Sequence, residues 1–72
     1  MSKTNISYVI RKRKPGTDEW EIWDGSWVGE DDARRELDCM RASPLFAGYQ
    51  VHLVKRTEVI TTTDEVIDSG PV

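Results

Sequence analysis

One histidine, His52, and one cysteine, Cys39, are the side chains of this sequence that could form a thiol nucleophile and its base. A general base must lie within about 3 Å of the proton that it removes. His52 falls in a predicted strand, whereas Cys39 falls at the polar boundary of a predicted helix, beside Asp38. A reactive thiolate needs electropositive surroundings, which an adjacent carboxylate opposes. We therefore expect no enzymatic activity and no catalytic residue.

Metal and cofactor sites are equally poorly supported. A lone cysteine excludes an internal disulfide and an all-cysteine metal site, and no ligand spacing joins His52 to the carboxylates. The five glycines are scattered instead of forming a phosphate-binding loop. A cavity of about 300–1,000 Å³ would also consume most of the core that 72 residues can build. We expect no metal and no cofactor.

Three tryptophans within eight positions are the main candidates for partner contact. Alternation along a strand prevents Trp20, Trp23 and Trp27 from all sharing one face. We expect Trp20 to enter the core together with Ile22. Trp23, with or without Trp27, is then expected on the outer face, where tryptophan is a common interface anchor. The alternative is that Trp27 packs beneath the start of the helix and that Trp23 covers a hairpin edge.

Charge is segregated along the chain, whose net charge is −3. Residues 1–16 contain five basic and no acidic residues, and residues 17–40 contain nine acidic and two basic ones. Basic side chains at a predicted hairpin tip could contact phosphates, with Trp23 as a base-stacking platform. The alternative is that charged strand ends keep a small sheet soluble and discourage edge-to-edge pairing. The pI near 5.0 favours this alternative, because a dedicated nucleic-acid-binding domain is expected to have a pI above about 9. The nucleic-acid candidates are Arg11, Lys12, Arg13, Lys14, Lys55 and Arg56, of which the last two are expected beside the tip.

The first half of the chain predicts a β-hairpin over residues 6–23. Its first strand alternates, so that Val9 faces away from the helix together with Trp23. Pro15 to Asp18 has the composition of a turn. Trp20 to Trp23 forms the return strand, and Asp24-Gly25 is predicted to close it with a second turn.

A helix is predicted over residues 30–43, because Ala33, Leu37 and Met40 fall on one stripe at helical spacing. Its first turn is acidic, as the helix dipole favours, although a dense acidic surface could also imitate nucleic acid toward a basic protein. Acid-first pairs at i,i+4 are expected for Glu30–Arg34 and Asp31–Arg35. Pro44 is expected to end the helix.

The second half predicts a strand over residues 49–57. Residues 59–63 either continue that strand or return as another, and residues 64–72 are predicted as a flexible tail or a late strand. The fold class is therefore α+β: a small ββαβ(β) domain spanning residues 1–72, with an ordered core of about residues 6–60. An antiparallel sheet of three to four strands carries one amphipathic helix on one face.

The segment from Tyr8 to Thr57 resembles small accessory proteins encoded by bacteriophages. The features that carry the resemblance are the Trp20-Glu21-Ile22-Trp23 hairpin, the acidic helix beginning at Glu30 and the Gly48-Tyr49-Gln50-Val51 strand. The resemblance is one of size and layout and contains no motif, so no functional residue is transferred from it. It implies a protein that binds and modulates or inhibits a host protein.

We expect a non-enzymatic protein that binds another protein, such as a host protein, through its open sheet face, an edge strand or the acidic helix. Nucleic-acid binding and self-association as a homodimer are the alternatives. No apolar run approaches the roughly 20 residues of a membrane span, and the polar start predicts a cytoplasmic protein. The predicted partner-binding residues are Trp23, Trp27, Asp31, Arg35 and Asp38.

Overall fold

A computed structural model describes residues 3–72 of the chain. Four strands and one α-helix account for most of these residues. The elements are β1 (Asn5–Arg13), β2 (Trp20–Trp27), α1 (Glu30–Ala42), β3 (Gln50–Glu58) and β4 (Thr62–Pro71), with a short 3₁₀ turn at Pro44–Phe46 between α1 and β3.

The strands form one antiparallel sheet in the order β2-β1-β3-β4. The chain leaves the edge strand β2, passes through α1 and re-enters the sheet at β3, on the other side of β1. This arrangement confirms the predicted α+β class and the ββαβ(β) layout. The helix lies on one face only, so the sheet has a helix-covered face and a helix-free face.

The helix-covered face holds the main core. Its sheet residues come from the central strands, because a neighbour on each side and a helix above shield them from water. Ile10 and Leu53 face each other across β1 and β3, and the helix supplies the three apolar residues that its spacing predicted. The buried cluster consists of Ile10, Ala33, Leu37, Met40, Val51 and Leu53.

The helix ends one residue before the predicted end at Ser43. Its last residue is Ala42, and Ser43 leaves the helical conformation immediately before Pro44. The Ser43 side chain then accepts a hydrogen bond from the Leu45 N–H in the following 3₁₀ turn. Gly48 adopts a φ of +86°, and a Cβ there would lie 3.2 Å from Pro15 Cγ. Glycine is therefore required where the chain returns to β3 beside the hairpin tip.

Asp24-Gly25 was predicted as a turn, and this prediction is wrong. Both residues have positive φ, 56° and 84°, but they lie inside β2. Ser26 pairs with Val9, whereas Trp23 pairs with Ile10. The two residues therefore form a bulge that β1 does not match, and β2 continues as far as Trp27.

Residues 62–71 form β4, so the late-strand alternative for the end of the chain is the observed one. The strand pairs with β3 from Glu58↔Thr62 to Gln50↔Pro71, with a bulge at Ile67 between the Val54↔Val66 and Leu53↔Asp68 pairs. Ile67 and Val72 are half-buried against the core, and the Val72 N–H donates to the Tyr49 carbonyl at 2.8 Å. The predicted ordered core of about residues 6–60 is thus too short.

Candidate interaction surface

The register of the β1–β2 hairpin decides which tryptophan faces the helix. Arg13 pairs with Trp20, and Ile10 pairs with Trp23. Cross-strand partners share a face, and Ile10 belongs to the core. Trp23 therefore lies on the helix-covered face and Trp20 on the helix-free face. The prediction that Trp20 enters the core and Trp23 faces outward is wrong, because it followed the alternation within β2 without fixing the register against β1.

Trp23 is held between the sheet and the helix side of the molecule. Its indole Nε1–H donates to Glu36 Oε1 at 3.0 Å, and its ring meets the Phe46 ring edge-on, with centroids 5.0 Å apart. Trp27 is also half-buried and packs against the core. Trp23 and Trp27 were predicted to be exposed interface anchors. Neither ring lies on the outer face as that role requires.

Trp20 is the tryptophan of the helix-free face. Its side chain is 38% exposed, and its ring stacks on the His52 ring with centroids 4.0 Å apart. The Arg13 guanidinium carbon lies 5.4 Å from the Trp20 ring centroid, within range of a cation–π contact. The pKa of His52 is lowered, first by partial burial and then by the positive charges of Arg11 and Arg13. His52 therefore stacks as a neutral imidazole at pH 7.

Ile22 lies next to this stack, paired with Arg11 on the same face, and is 57% exposed. We call Arg11, Arg13, Trp20, Ile22 and His52 the Trp20 patch. Further along the same face, Val66 is 49% exposed opposite Val54. The helix-free face thus presents an aromatic and two aliphatic side chains among arginines, which is the composition of many interface cores.

A cluster of ion-paired side chains lies beside the Trp20 patch. It consists of Asp64, Arg56 and Arg11, and we call it the Asp64 clamp. Asp64 of β4 accepts hydrogen bonds from Arg56 Nε at 2.9 Å and Arg56 Nη2 at 3.2 Å, and from Arg11 Nη2 at 2.9 Å. Arg11 and Arg56 lie in register rows on opposite sides of the Val9–Val54 row. The contact between Arg11 and Asp64 must therefore cross that row. These arginines hold the pKa of Asp64 below its usual value, Arg56 contributing most.

The six basic residues predicted as nucleic-acid-binding candidates lie in different parts of the sheet. Lys12 lies on the helix-covered face, where its Nζ bonds Glu21 at 2.7 Å and lies 5.9 Å from the Trp23 ring and 5.6 Å from the Tyr49 ring. Lys14 is exposed in the hairpin turn, and Arg11 and Arg13 belong to the Trp20 patch. Lys55 and Arg56 pair with Tyr8 and Ser7, toward the opposite end of β1 from the hairpin tip. The expectation that they lie beside the tip is wrong, because β3 runs antiparallel to β1.

The outer surface of α1 carries the remaining partner-binding candidates. Asp31, Arg35 and Asp38 are exposed on it, as their spacing predicts. Arg35 pairs with Asp32 at 3.3 Å instead of the predicted Asp31, whereas the predicted Glu30–Arg34 pair is confirmed at 2.8 Å. These three residues point away from the sheet, so the structure does not bring them together with the Trp20 patch.

The two residues considered for catalysis lie apart. Cys39 is exposed on α1, whereas His52 stacks on Trp20 on the face that α1 does not cover. Among residues 3–72, no group of three or more His, Cys, Asp or Glu side chains is arranged to hold a metal ion. No pocket occurs in the described part of the chain either.

Comparison of this chain with family models, curated proteins and solved structures finds no match. Within residues 3–72, no helix combines the length and the apolar character that a membrane crossing requires.

The Trp20–His52 stack and the Asp64 clamp were not foreseen. Both depend on pairing between strands that are distant in the sequence, and the stack joins residues 32 positions apart. One signal for the face of Trp20 was available. Given that Ile10 enters the core, a hairpin closed by Arg13 and Trp20 must place Trp23 opposite Ile10, and Trp20 on the other face.

Proposed function

We propose that this protein is a non-enzymatic binding protein that engages another protein through the helix-free face of its sheet. The observation that carries the proposal is the Trp20 patch, in which Trp20 and Ile22 are exposed on a face that no other element of residues 3–72 covers. Trp20 is already fixed against His52, so a partner would lose little side-chain entropy on contact with it. A preorganised tryptophan next to arginines is the usual composition of an interface hot spot.

The resemblance to small bacteriophage accessory proteins implies that the partner is a host protein whose activity is modulated or inhibited. This part of the proposal rests on size and layout. The geometry of the Trp20 patch supports only the choice of the binding surface and the kind of side chains that make the contact.

Nucleic-acid binding is the second candidate, and the Trp20–His52–Arg13 stack is the observation that favours it, since bases stack on such platforms. The distribution of charge weakens it. Lys12 is paired with Glu21, Arg11 and Arg56 are paired with Asp64, and Lys55 lies on the other face. Within residues 3–72, only Arg13 and Lys14 of the six candidates remain near the stack without a carboxylate partner.

Self-association is less favoured by the same charges. Two helix-free faces packed together would bring arginines against arginines. The outer edge strand β4 contains Asp64, Glu65 and Asp68 and no basic residue, so pairing of two β4 edges would set like charges opposite one another.

The proposal is tested by affinity capture from a host lysate with matched variants. Trp20→Ala and Ile22→Ser should each abolish capture of a partner that the unmodified protein retains. Leu45→Ser changes a residue that is 81% exposed outside the sheet and should leave capture unchanged. A partner retained equally by all three variants, each with the circular dichroism spectrum of the folded protein, would contradict the proposal.

A further inference from the structure

The helix-free face has a charge opposite to that of the whole protein. The strand register places three arginines (Arg11, Arg13 and Arg56) and two carboxylates (Asp64 and Glu58) on this face, a sum of +3 − 2 = +1, in a chain of net charge −3. The exposed surface of α1 is acidic by comparison. A partner attracted to the helix-free face in preference to α1 must therefore be negatively charged where it makes contact.

We propose that this face binds an extended acidic segment of a partner protein, which presents carboxylates at alternate positions toward the sheet. The inference rests on the proposed function and specifies its partner. Arg11 and Arg13 are two residues apart on β1, so their positions are separated by about 6.8 Å. Alternate residues of an extended segment have the same spacing and point to the same side, so two carboxylates two residues apart in one segment can face both guanidinium groups.

The Asp64 clamp shows that arginines of this face already bind a carboxylate. Arg56 holds Asp64 through two hydrogen bonds, whereas Arg11 contributes one. Planar guanidinium groups bind carboxylates strongly when two bonds form. Arg56 can therefore retain Asp64 while Arg11 turns to an incoming carboxylate, and Arg13 makes no ion pair within residues 3–72.

An acidic polypeptide fits this face better than a nucleic acid does. Ile22 and Val66 are aliphatic and offer bases no aromatic surface for stacking, and one face of the Trp20 ring is occupied by His52. The same aliphatic side chains suit the apolar residues of a polypeptide. Nucleic-acid binding is therefore an outcome of the test that would overturn the inference.

The test is fluorescence anisotropy with four labelled probes and the full-length protein. The probes are a 12-residue peptide of alternating Glu and Val, its Gln–Val and Lys–Val counterparts, and a 12-nucleotide oligothymidylate. We expect the Glu–Val peptide alone to bind, with an affinity that falls as salt is added. Arg13→Gln should weaken this binding about tenfold, the effect of losing one charge-assisted contact.

Arg34→Gln is the matched control, because it makes the same substitution on α1, where the side chain is 41% exposed. It should leave peptide binding unchanged. The inference is overturned if no peptide binds, if the Gln–Val peptide binds as tightly, if the oligonucleotide binds more tightly, or if Arg34→Gln weakens binding as much as Arg13→Gln. Failure of the Glu–Val peptide together with Trp20-dependent capture from a lysate would overturn this inference and leave the proposed function standing.

Discussion

The two faces of the sheet bury similar aliphatic side chains in different ways. On the helix-covered face, Ile10 and Leu53 are buried beneath the apolar stripe of α1. On the helix-free face, Val9 and Val54 are 1% and 0% exposed, although α1 does not lie over them. The Arg11–Asp64 contact crosses this second row, so arginine stems and their ion pairs take the place of a second helix. A cover of this kind can move aside for a partner, whereas a packed helix cannot.

Two aspartates of β4 show the same difference. Asp68 lies on the helix-covered face and binds Arg34 and Arg41 of α1, with its shortest contact to Arg41 at 3.2 Å. Asp64 lies on the helix-free face and binds arginines of β1 and β3. The first carboxylate therefore ties the helix to the edge strand, whereas the second ties together strands that are already paired.

The largest expected effect is in the helix-covered core. Leu37→Ala should lower the free energy of unfolding by about 2–5 kcal/mol, because it removes a side chain that is 1% exposed and leaves a cavity under a rigid helix. Urea unfolding followed by circular dichroism measures this. For a domain of this size such a loss should leave much of the protein unfolded. A change below 1 kcal/mol would show that α1 does not pack on the sheet as described.

Val54→Ala should cost less, about 1.5 kcal/mol, close to the transfer free energy of the two carbon atoms removed. The arginine side chains over Val54 are flexible and can move into the space that the removed methyl groups leave, so the contribution of a cavity to the lost stability should be small. Urea unfolding of both variants under the same conditions provides the comparison. A loss for Val54→Ala equal to that for Leu37→Ala would mean that the helix-free face is covered as rigidly as the other.

Asp68→Asn should lower the free energy of unfolding by about 1 kcal/mol, since the carboxylate is partly exposed and its contacts are screened. The arginines, Arg41 foremost, lower the pKa of Asp68 in the folded state. The stability that Asp68 contributes is therefore present above its unfolded pKa of about 3.8 and is lost as the pH falls through the lower folded value.

The control is Asp64→Asn. Amide hydrogen exchange should become faster in α1 for Asp68→Asn and not for Asp64→Asn. Equal acceleration in both variants would contradict the distinction between the two carboxylates.

The smallest effect concerns His52. Its pKa lies below the unfolded value of 6.5 in the folded state, so the folded protein takes up a proton less readily than the unfolded chain. Stability should therefore decline as the pH falls from about 6.5 toward the folded pKa. His52→Gln should remove this part of the pH dependence in urea titrations between pH 7 and pH 5. An unchanged slope in the variant would mean that His52 is not shielded by the stack.

Local patterns were sufficient to predict the helix and its end at Pro44, because the stripe of Ala33, Leu37 and Met40 and the proline act over short distances. Local patterns were also sufficient to predict which residues of β1 lie on opposite faces of the sheet. They failed for Trp20 and Trp23, since the face of β2 depends on its register against β1. They also left β4 undecided, because its charged, exposed sequence becomes a strand only through pairing with β3.

The residues of the candidate surface could likewise be predicted from the sequence only in part. The exposed residues Asp31, Arg35 and Asp38 followed from helical spacing alone. To predict the Trp20 patch, one would have to know the register of β2, β1 and β3. The sequence itself contains no signal for the contact between Trp20 and His52.

The central claim is that partners bind the helix-free face, and the three indole N–H signals of a ¹⁵N-labelled sample test it most directly. Variants with phenylalanine at each tryptophan assign the signals. On addition of the captured partner, the Trp20 signal should shift or broaden, whereas that of Trp23, whose N–H donates to Glu36, should stay in place. A shift of the Trp23 or Trp27 signal with an unchanged Trp20 signal would contradict the account.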